Sequence, residues 1–153
     1  MYTREQASQI KQQFWTAFGK YMSPVLSAEG EKINWINYKT GVRFIHFKMD
    51  VNKEVATVAI EILHKEPAVA KQLFQQFLAL QDNLEQSLEE KWQWEPLNEN
   101  EHGQALSGIS IQLPGVSIYD QSNWPQIISF LKPRIIKLDH FWCDYKMIFE
   151  SIA

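Results

Sequence analysis

The fold is decided by residues 42–63, which read VRFIHFKMDVNKEVATVAIEIL. Apolar and polar side chains alternate in two runs, Val42–Asp50 and Glu54–Leu63, on either side of Asn52 and Lys53. Alternation with a period of two is typical of half-buried strands, and the β-branched and aromatic residues favour the same assignment. This stretch therefore predicts an antiparallel hairpin with its tip at Asn52 and Lys53.

A tip at Asn52 and Lys53 also predicts the register of the hairpin. The expected opposite pairs are Ile45 with Ile60, Phe47 with Val58, and Met49 with Ala56. This register gathers the strong hydrophobes on one face, which is the face that a sheet buries. On the other face His46 lies opposite Ala59, and Glu61 is its diagonal neighbour.

A third strand is expected before the hairpin, over Ile33–Tyr38. Lys39–Gly41 would form the connecting loop, with Gly41 in the left-handed conformation. The second face of the sheet then combines polar groups with aromatic rings, more aromatic than a plain solvent face. Its expected members are Ile36, Tyr38, Phe44, His46, Lys48, Thr57, Ala59 and Glu61.

The remaining elements follow from helical spacing and capping signals. Thr3, with Gln6 three residues later, predicts a capping box at the start of a first helix that stops at Ser23-Pro24. The other predicted elements are a helix from about Pro67 to Lys91, strands at Trp92–Leu97 and Gly108–Leu113, and a final helix from Ser122–Pro125 that Pro133 kinks or divides.

The order α-βββ-α-ββ-α predicts an α+β fold with a mostly antiparallel, five-stranded sheet and packed helices. The 153 residues, 45% of them hydrophobic, suit one domain over residues 1–153. The single cysteine favours a reducing compartment, and a net charge of −3 gives no global attraction to nucleic acid. No apolar leader or membrane span is evident, so we expect a cytoplasmic protein with no membrane partner.

The layout resembles a bacterial family of unknown function. The pieces that carry this resemblance are Phe14-Trp15, Gly41-Val42-Arg43, Phe74–Leu88, Trp92–Leu97 and Trp124–Phe149. In that family the domain stands alone or follows an endonuclease-like domain, which implies a DNA-related context by association. The resemblance supplies no catalytic residue for this chain.

Metal-dependent chemistry finds little support in the sequence. A nuclease core needs an Asp and a Glu on neighbouring strands, with a Lys two positions after the Glu. Asp50 and Glu61 lie near opposite ends of the hairpin, and Leu63 occupies the Lys position. His140 and Cys143 share a helix face, with Asp139 or Asp144 beside them. A zinc site needs three or four ligands, and the other histidines lie in unrelated segments. We therefore expect no metal and no cofactor.

The second sheet face carries the binding-face candidates, which are Tyr38, Phe44, His46, Lys48 and Glu61. His46 and Glu61 could perform acid–base chemistry, as in a small enzyme. The rings could instead stack bases beside local lysines, as in a nucleic-acid-associated accessory domain with weak contact. The preferred hypothesis is a non-enzymatic interaction module that self-associates as a homodimer, because the apolar surface exceeds what one layered core buries.

Overall fold

The structure is a computed structural model that describes residues 2–99 and 101–152. A short 3₁₀ turn at Gln121–Asn123 precedes the last helix. In chain order the elements are α1 (Arg4–Met22), β1 (Ile45–Val51), β2 (Val55–His64), α2 (Pro67–Ala79), α3 (Gln81–Leu88), β3 (Gln93–Glu99), β4 (Ala105–Pro114) and α4 (Trp124–Glu150).

The strands form an antiparallel four-stranded sheet in the order β1-β2-β4-β3. The α+β class is confirmed, but the prediction of five strands was wrong because Ile33–Tyr38 is irregular. The Asn34 side chain accepts hydrogen bonds from the N–H groups of Ile36 and Asn37, both at 3.1 Å. Such local bonds compete with a strand ladder, so the segment turns instead of pairing.

The hairpin forms with its register shifted by two residues from the predicted one. Phe47 lies opposite Ile60, and Met49 lies opposite Val58. The cause is Asn52, whose side-chain oxygen accepts from the N–H groups of Glu54 at 2.8 Å and Val55 at 2.9 Å. The tip therefore falls at residues 53–54, and the predicted faces survive because a shift of two keeps each side chain on its side.

The structure confirms some of the predicted helix boundaries and corrects others. The predicted capping box between Thr3 and Gln6 is confirmed. The predicted helix from Pro67 to Lys91 is divided at Leu80 into α2 and α3. Pro133 does not divide α4, which runs for 27 residues. Ser129, whose carbonyl loses a partner to Pro133, lies on the exposed side, where water can satisfy it.

The core lies between one face of the sheet and the helices α2 and α4. An aromatic cluster joins these layers: the Trp142 ring lies 5.2 Å from Phe47 and 6.3 Å from Phe77, and 5.2 Å from Phe149. On the opposite face His46 and Lys48 are exposed. Within residues 2–99 and 101–152, no helix covers that outer face.

A half-buried ion pair ties the chain after α3 to α4. Arg134 donates to both carboxylate oxygens of Glu90, at 2.9 and 3.0 Å. The same carboxylate accepts from the Trp92 indole at 2.8 Å, and the Arg134 guanidinium lies 4.2 Å from the centre of the Phe130 ring. Two parallel bonds in a fixed geometry make this pair stronger than an ordinary surface ion pair.

Replacing Arg134 by Lys should lower the free energy of unfolding by about 1–2 kcal/mol, because a lysine cannot form the two-pronged contact with Glu90. Urea denaturation followed by circular dichroism measures the change. The matched control is Lys137→Gln at the 3.5 Å Lys137–Glu89 pair, which should cost less than about 0.5 kcal/mol. Equal losses in the two variants would contradict the assignment.

Candidate functional site

A groove of about 600 Å³ lies over the outer face of β1 and β2. Strand alternation places its floor, because every second residue of each strand points to this face. The loop before β1 supplies the wall through Ile36, Asn37 and Tyr38. We call this feature the sheet groove; its floor includes His46, Lys48, Asp50, Thr57, Ala59 and Glu61.

Three of the predicted site residues meet on the groove floor. The shifted register puts Glu61 directly opposite His46, where the sequence had placed Ala59. Lys48 forms an ion pair with Glu61, with 3.3 Å between Nζ and the carboxylate oxygen. The floor is therefore polar and of mixed charge.

The other two predicted residues, Tyr38 and Phe44, do not lie on the sheet face, so the prediction of an aromatic outer face was wrong. The Tyr38 ring stacks on the inward-facing Phe47 ring at 5.2 Å, and Tyr38 only lines the wall of the groove. Phe44 has a φ of 73° and packs on His64, with 3.9 Å between ring centres. Tyr38 leaves the face because the expected third strand is absent, and Phe44 leaves it because its backbone is left-handed just before β1 begins at Ile45.

A buried carboxylate anchors the loop that forms the groove wall. Asp139 is only 6% exposed, and it accepts from the Tyr38 hydroxyl at 2.5 Å and from the Ala28 N–H at 2.7 Å. We call these two contacts the Asp139 clasp. The sequence pattern predicts Asp139 only as a neighbour of a candidate metal site, although a carboxylate four residues after the buried Ile135 of the apolar helix face signals a buried partner.

The clasp is continued by neighbouring contacts between α4 and the start of β1. The Trp142 indole donates to the Thr40 carbonyl at 2.7 Å, and the Thr40 hydroxyl donates to the Ile45 carbonyl at 2.8 Å. Gly41, in the left-handed conformation at φ +77°, completes the turn that leads into β1. The predicted conformation of Gly41 is confirmed, but it serves this turn and not a hairpin.

Comparison with known families gives one match. The family described as Domain of unknown function (DUF4268) matches residues 10–146. The chain belongs to this family. Searches of curated proteins and of solved structures found no match. The expected bacterial setting and endonuclease association of the DUF4268 domain stay predictions.

A second cleft of the DUF4268 domain, of about 590 Å³, lies between the loop at residues 27–40 and the second half of α4. It contains Cys143. Desolvation, followed by the carboxylates of Glu29, Asp144 and Asp139, raises the pKa of the Cys143 thiol. A raised pKa reduces the thiolate fraction, so this environment does not activate the sulfur as a nucleophile.

Metal ligands do not converge in the part of the chain that the structure describes. Residues 2–99 and 101–152 hold no group of three or more His, Cys, Asp or Glu side chains that could bind a metal ion. Asp50 and Glu61 lie four positions apart along the paired strands, which corresponds to about 13 Å. Over the same residues, no helix is both long enough and apolar enough to cross a membrane.

Replacing Asp139 by Ala should lower the free energy of unfolding by about 2–3 kcal/mol, because the Tyr38 hydroxyl and the Ala28 N–H lose their acceptor. Urea denaturation measures this loss. The control is Asp144→Ala, an exposed carboxylate on the same helix, which should change stability by less than about 0.5 kcal/mol. A similar small effect at Asp139 would show that the clasp contributes nothing.

The clasp also predicts a dependence of stability on alkaline pH. Burial, then the hydrogen bond to Asp139 and its negative charge, raises the pKa of Tyr38 well above its usual value. Above a pH of about 10 the unfolded tyrosine loses its proton while the folded one keeps it, so the free energy of unfolding falls as pH rises.

This pH effect is isolated by comparison with Tyr38→Phe. Urea denaturation between about pH 9 and pH 11.5 should show a shallower decline for Tyr38→Phe than for the unmodified chain. Tyr21→Phe, at a tyrosine that is 57% exposed, is the matched control and should decline like the unmodified chain. Identical slopes in all three proteins would contradict the raised pKa.

Proposed function

We propose that this DUF4268 domain is a protein-interaction module that self-associates through the free edge of β1 and the adjoining sheet groove. The observation that carries the proposal is an unpaired stretch of strand beside an uncovered sheet face. Unpaired strand edges are templates for pairing with another chain.

The two ends of the hairpin show which residues of β1 bond to β2. The Leu63 N–H donates to the Phe44 carbonyl at 2.9 Å, and the Asn52 N–H donates to the Val55 carbonyl at 3.0 Å. In an antiparallel pair, bonded residues alternate, so the even-numbered residues of β1 direct their backbone groups to β2. The N–H and C=O groups of Phe47 and Met49 therefore point away from the sheet.

The free part of the edge begins after Ile45. At its start the Ile45 N–H donates to the Val42 carbonyl at 3.3 Å, and the Ile45 carbonyl accepts from Thr40. No such protein partner is found for the edge groups of Phe47 and Met49 within residues 2–99 and 101–152. Ile36, which is 42% exposed, adds an apolar side chain to the adjoining wall.

Two other hypotheses receive less support from the groove. Nucleic-acid binding by base stacking is not supported, because Tyr38 and Phe44 do not lie on the sheet face. In addition, the negative charges of Asp50 and Glu61 offset the positive charge of Lys48. Acid–base work by His46 is weakened because Glu61 is ion-paired with Lys48. We therefore propose neither nucleic-acid binding nor a reaction at the groove.

The setting of the module is also part of this proposal. The lone Cys143 supports the reducing environment of a cytoplasm. The family resemblance supports a bacterial source and a place near endonuclease-like domains. The interaction module is proposed to comprise residues 1–153 as one domain.

Self-association should appear as a concentration-dependent mass. Sedimentation equilibrium from micromolar to near-millimolar concentration is expected to show dimers, and Ile36→Asp should weaken them about tenfold by placing a charge on the groove wall. Leu26→Asp is the matched control, because Leu26 is 54% exposed in the same loop and does not line the groove. A monomer at every concentration would overturn the proposal.

A further inference from the structure

We infer that the β1 edge binds the β1 edge of a second copy of this chain, antiparallel, with the two-fold axis at Met49. This inference rests on the proposed function and adds the register of the contact. The two sheets would then join into one of eight strands, with the second β1 about 4.8 Å from the first.

The backbone first limits which two-fold registers are allowed. Bonded pairs must form between outward-directed residues, which are the odd-numbered ones of β1. In the centre of β1 the axis can therefore lie at any residue from His46 to Asp50. In each case the inward-facing side chains of one copy continue the inward face of the other, so burial alone does not choose between them.

The occupied groups of Ile45 and the charges of Lys48 and Asp50 exclude four of these five registers. Axes at His46 and at Phe47 both need a bond to Ile45 of the second copy, whose N–H and C=O already bond to Val42 and Thr40. An axis at Lys48 places the two Lys48 side chains directly opposite each other, and an axis at Asp50 does the same for the two Asp50 carboxylates. Like charges in that position are destabilising.

The axis at Met49 places opposite charges, those of Lys48 and Asp50, against each other. Lys48 of each copy then faces Asp50 of the other, and both side chains are exposed on the outer face. On the inner side Met49 meets its own copy and Phe47 faces Val51, so the facing residues are apolar. Lys48 lies 3.3 Å from Glu61 of its own chain, so the new contact extends an existing ion pair without breaking it.

Lysine on a strand edge usually prevents pairing with other strands. Such a lysine instead makes pairing specific when only one register places a negative charge opposite it. The sequence HFKMD at residues 46–50 has this property, because only the register about Met49 places Lys48 against Asp50. This self-complementarity is the reason for choosing a second copy over an unrelated extended peptide.

A charge exchange tests the register in the full chain. Lys48→Glu and Asp50→Lys should each weaken dimerisation about tenfold by opposing like charges, and the double variant should return to within about threefold of the original dissociation constant. Sedimentation equilibrium gives the constants, and circular dichroism checks that each variant is folded. Failure of the double variant to recover would overturn the register.

Cross-linking in a Cys143→Ser background supplies the second measurement. Met49→Cys should form an intermolecular disulfide on mild oxidation, because directly opposite bonded residues lie about 5.5 Å apart between Cα atoms. Lys48→Cys is the matched control and should not cross-link, since its copies are diagonal neighbours at more than about 7 Å.

The outcomes separate the register from the interaction module itself. Cross-linking at residue 48 in preference to residue 49, or at neither position while the unmodified chain dimerises, would overturn the Met49 register and leave self-association standing. A chain that stays monomeric in sedimentation would overturn both. Cross-linking at residue 49 together with recovery in the charge exchange supports the inference.

Discussion

The Asp139 carboxylate is the contact on which the geometry of the sheet groove depends. It holds Ala28 and Tyr38 against α4, and so it fixes the loop that an alternating sequence would otherwise offer as a fifth strand. A fifth strand beside β1 would cover the very edge that is free. The clasp therefore determines both the groove wall and the exposure of the β1 edge.

Burying that carboxylate is costly unless it is well bonded, and this cost explains the completeness of its partners. Asp139 receives one backbone N–H and one phenol, while Trp142 and Thr40 carry the polar contacts on to the start of β1. A buried group with such definite partners specifies one arrangement of the loop. Apolar packing alone permits alternatives, because Ile33 and Trp35 suit a strand as well as a loop.

Much of the fold could be predicted from local signals. The alternation in residues 42–63 correctly assigns the buried face, and Thr3 with Gln6 correctly marks the start of α1. The predicted register of the hairpin was wrong because the hydrogen bonds of the Asn52 side chain set the position of the hairpin tip. A shift of two residues leaves the alternation of apolar and polar side chains unchanged, so the pattern cannot detect it. The fifth strand was wrong because the partners that hold Ile33–Tyr38 lie elsewhere in the chain, at Val25 and Asp139.

The residues of the candidate site also differ in whether the sequence alone could place them. His46, Lys48 and Glu61 could be placed together from the strand pattern, since strands impose faces from sequence alone. Tyr38 could not, because its position depends on the distant Asp139, and Phe44 could not, because side-chain alternation does not reveal a left-handed backbone. Local sequence patterns thus predict which side chains share a face of a regular strand. They do not predict the position of a loop that a residue far away in the sequence holds in place.

The outer face and the edge differ in what they offer a partner. The floor of the groove is polar and of mixed charge, unlike the apolar centre of a stable interface. In the proposed dimer the edge would supply directed backbone bonds that need no apolar floor, and the side chains of Lys48 and Asp50 would select the partner. Because the clasp and β1 both lie within residues 10–146, the groove wall and the β1 edge are both features of the matched DUF4268 span.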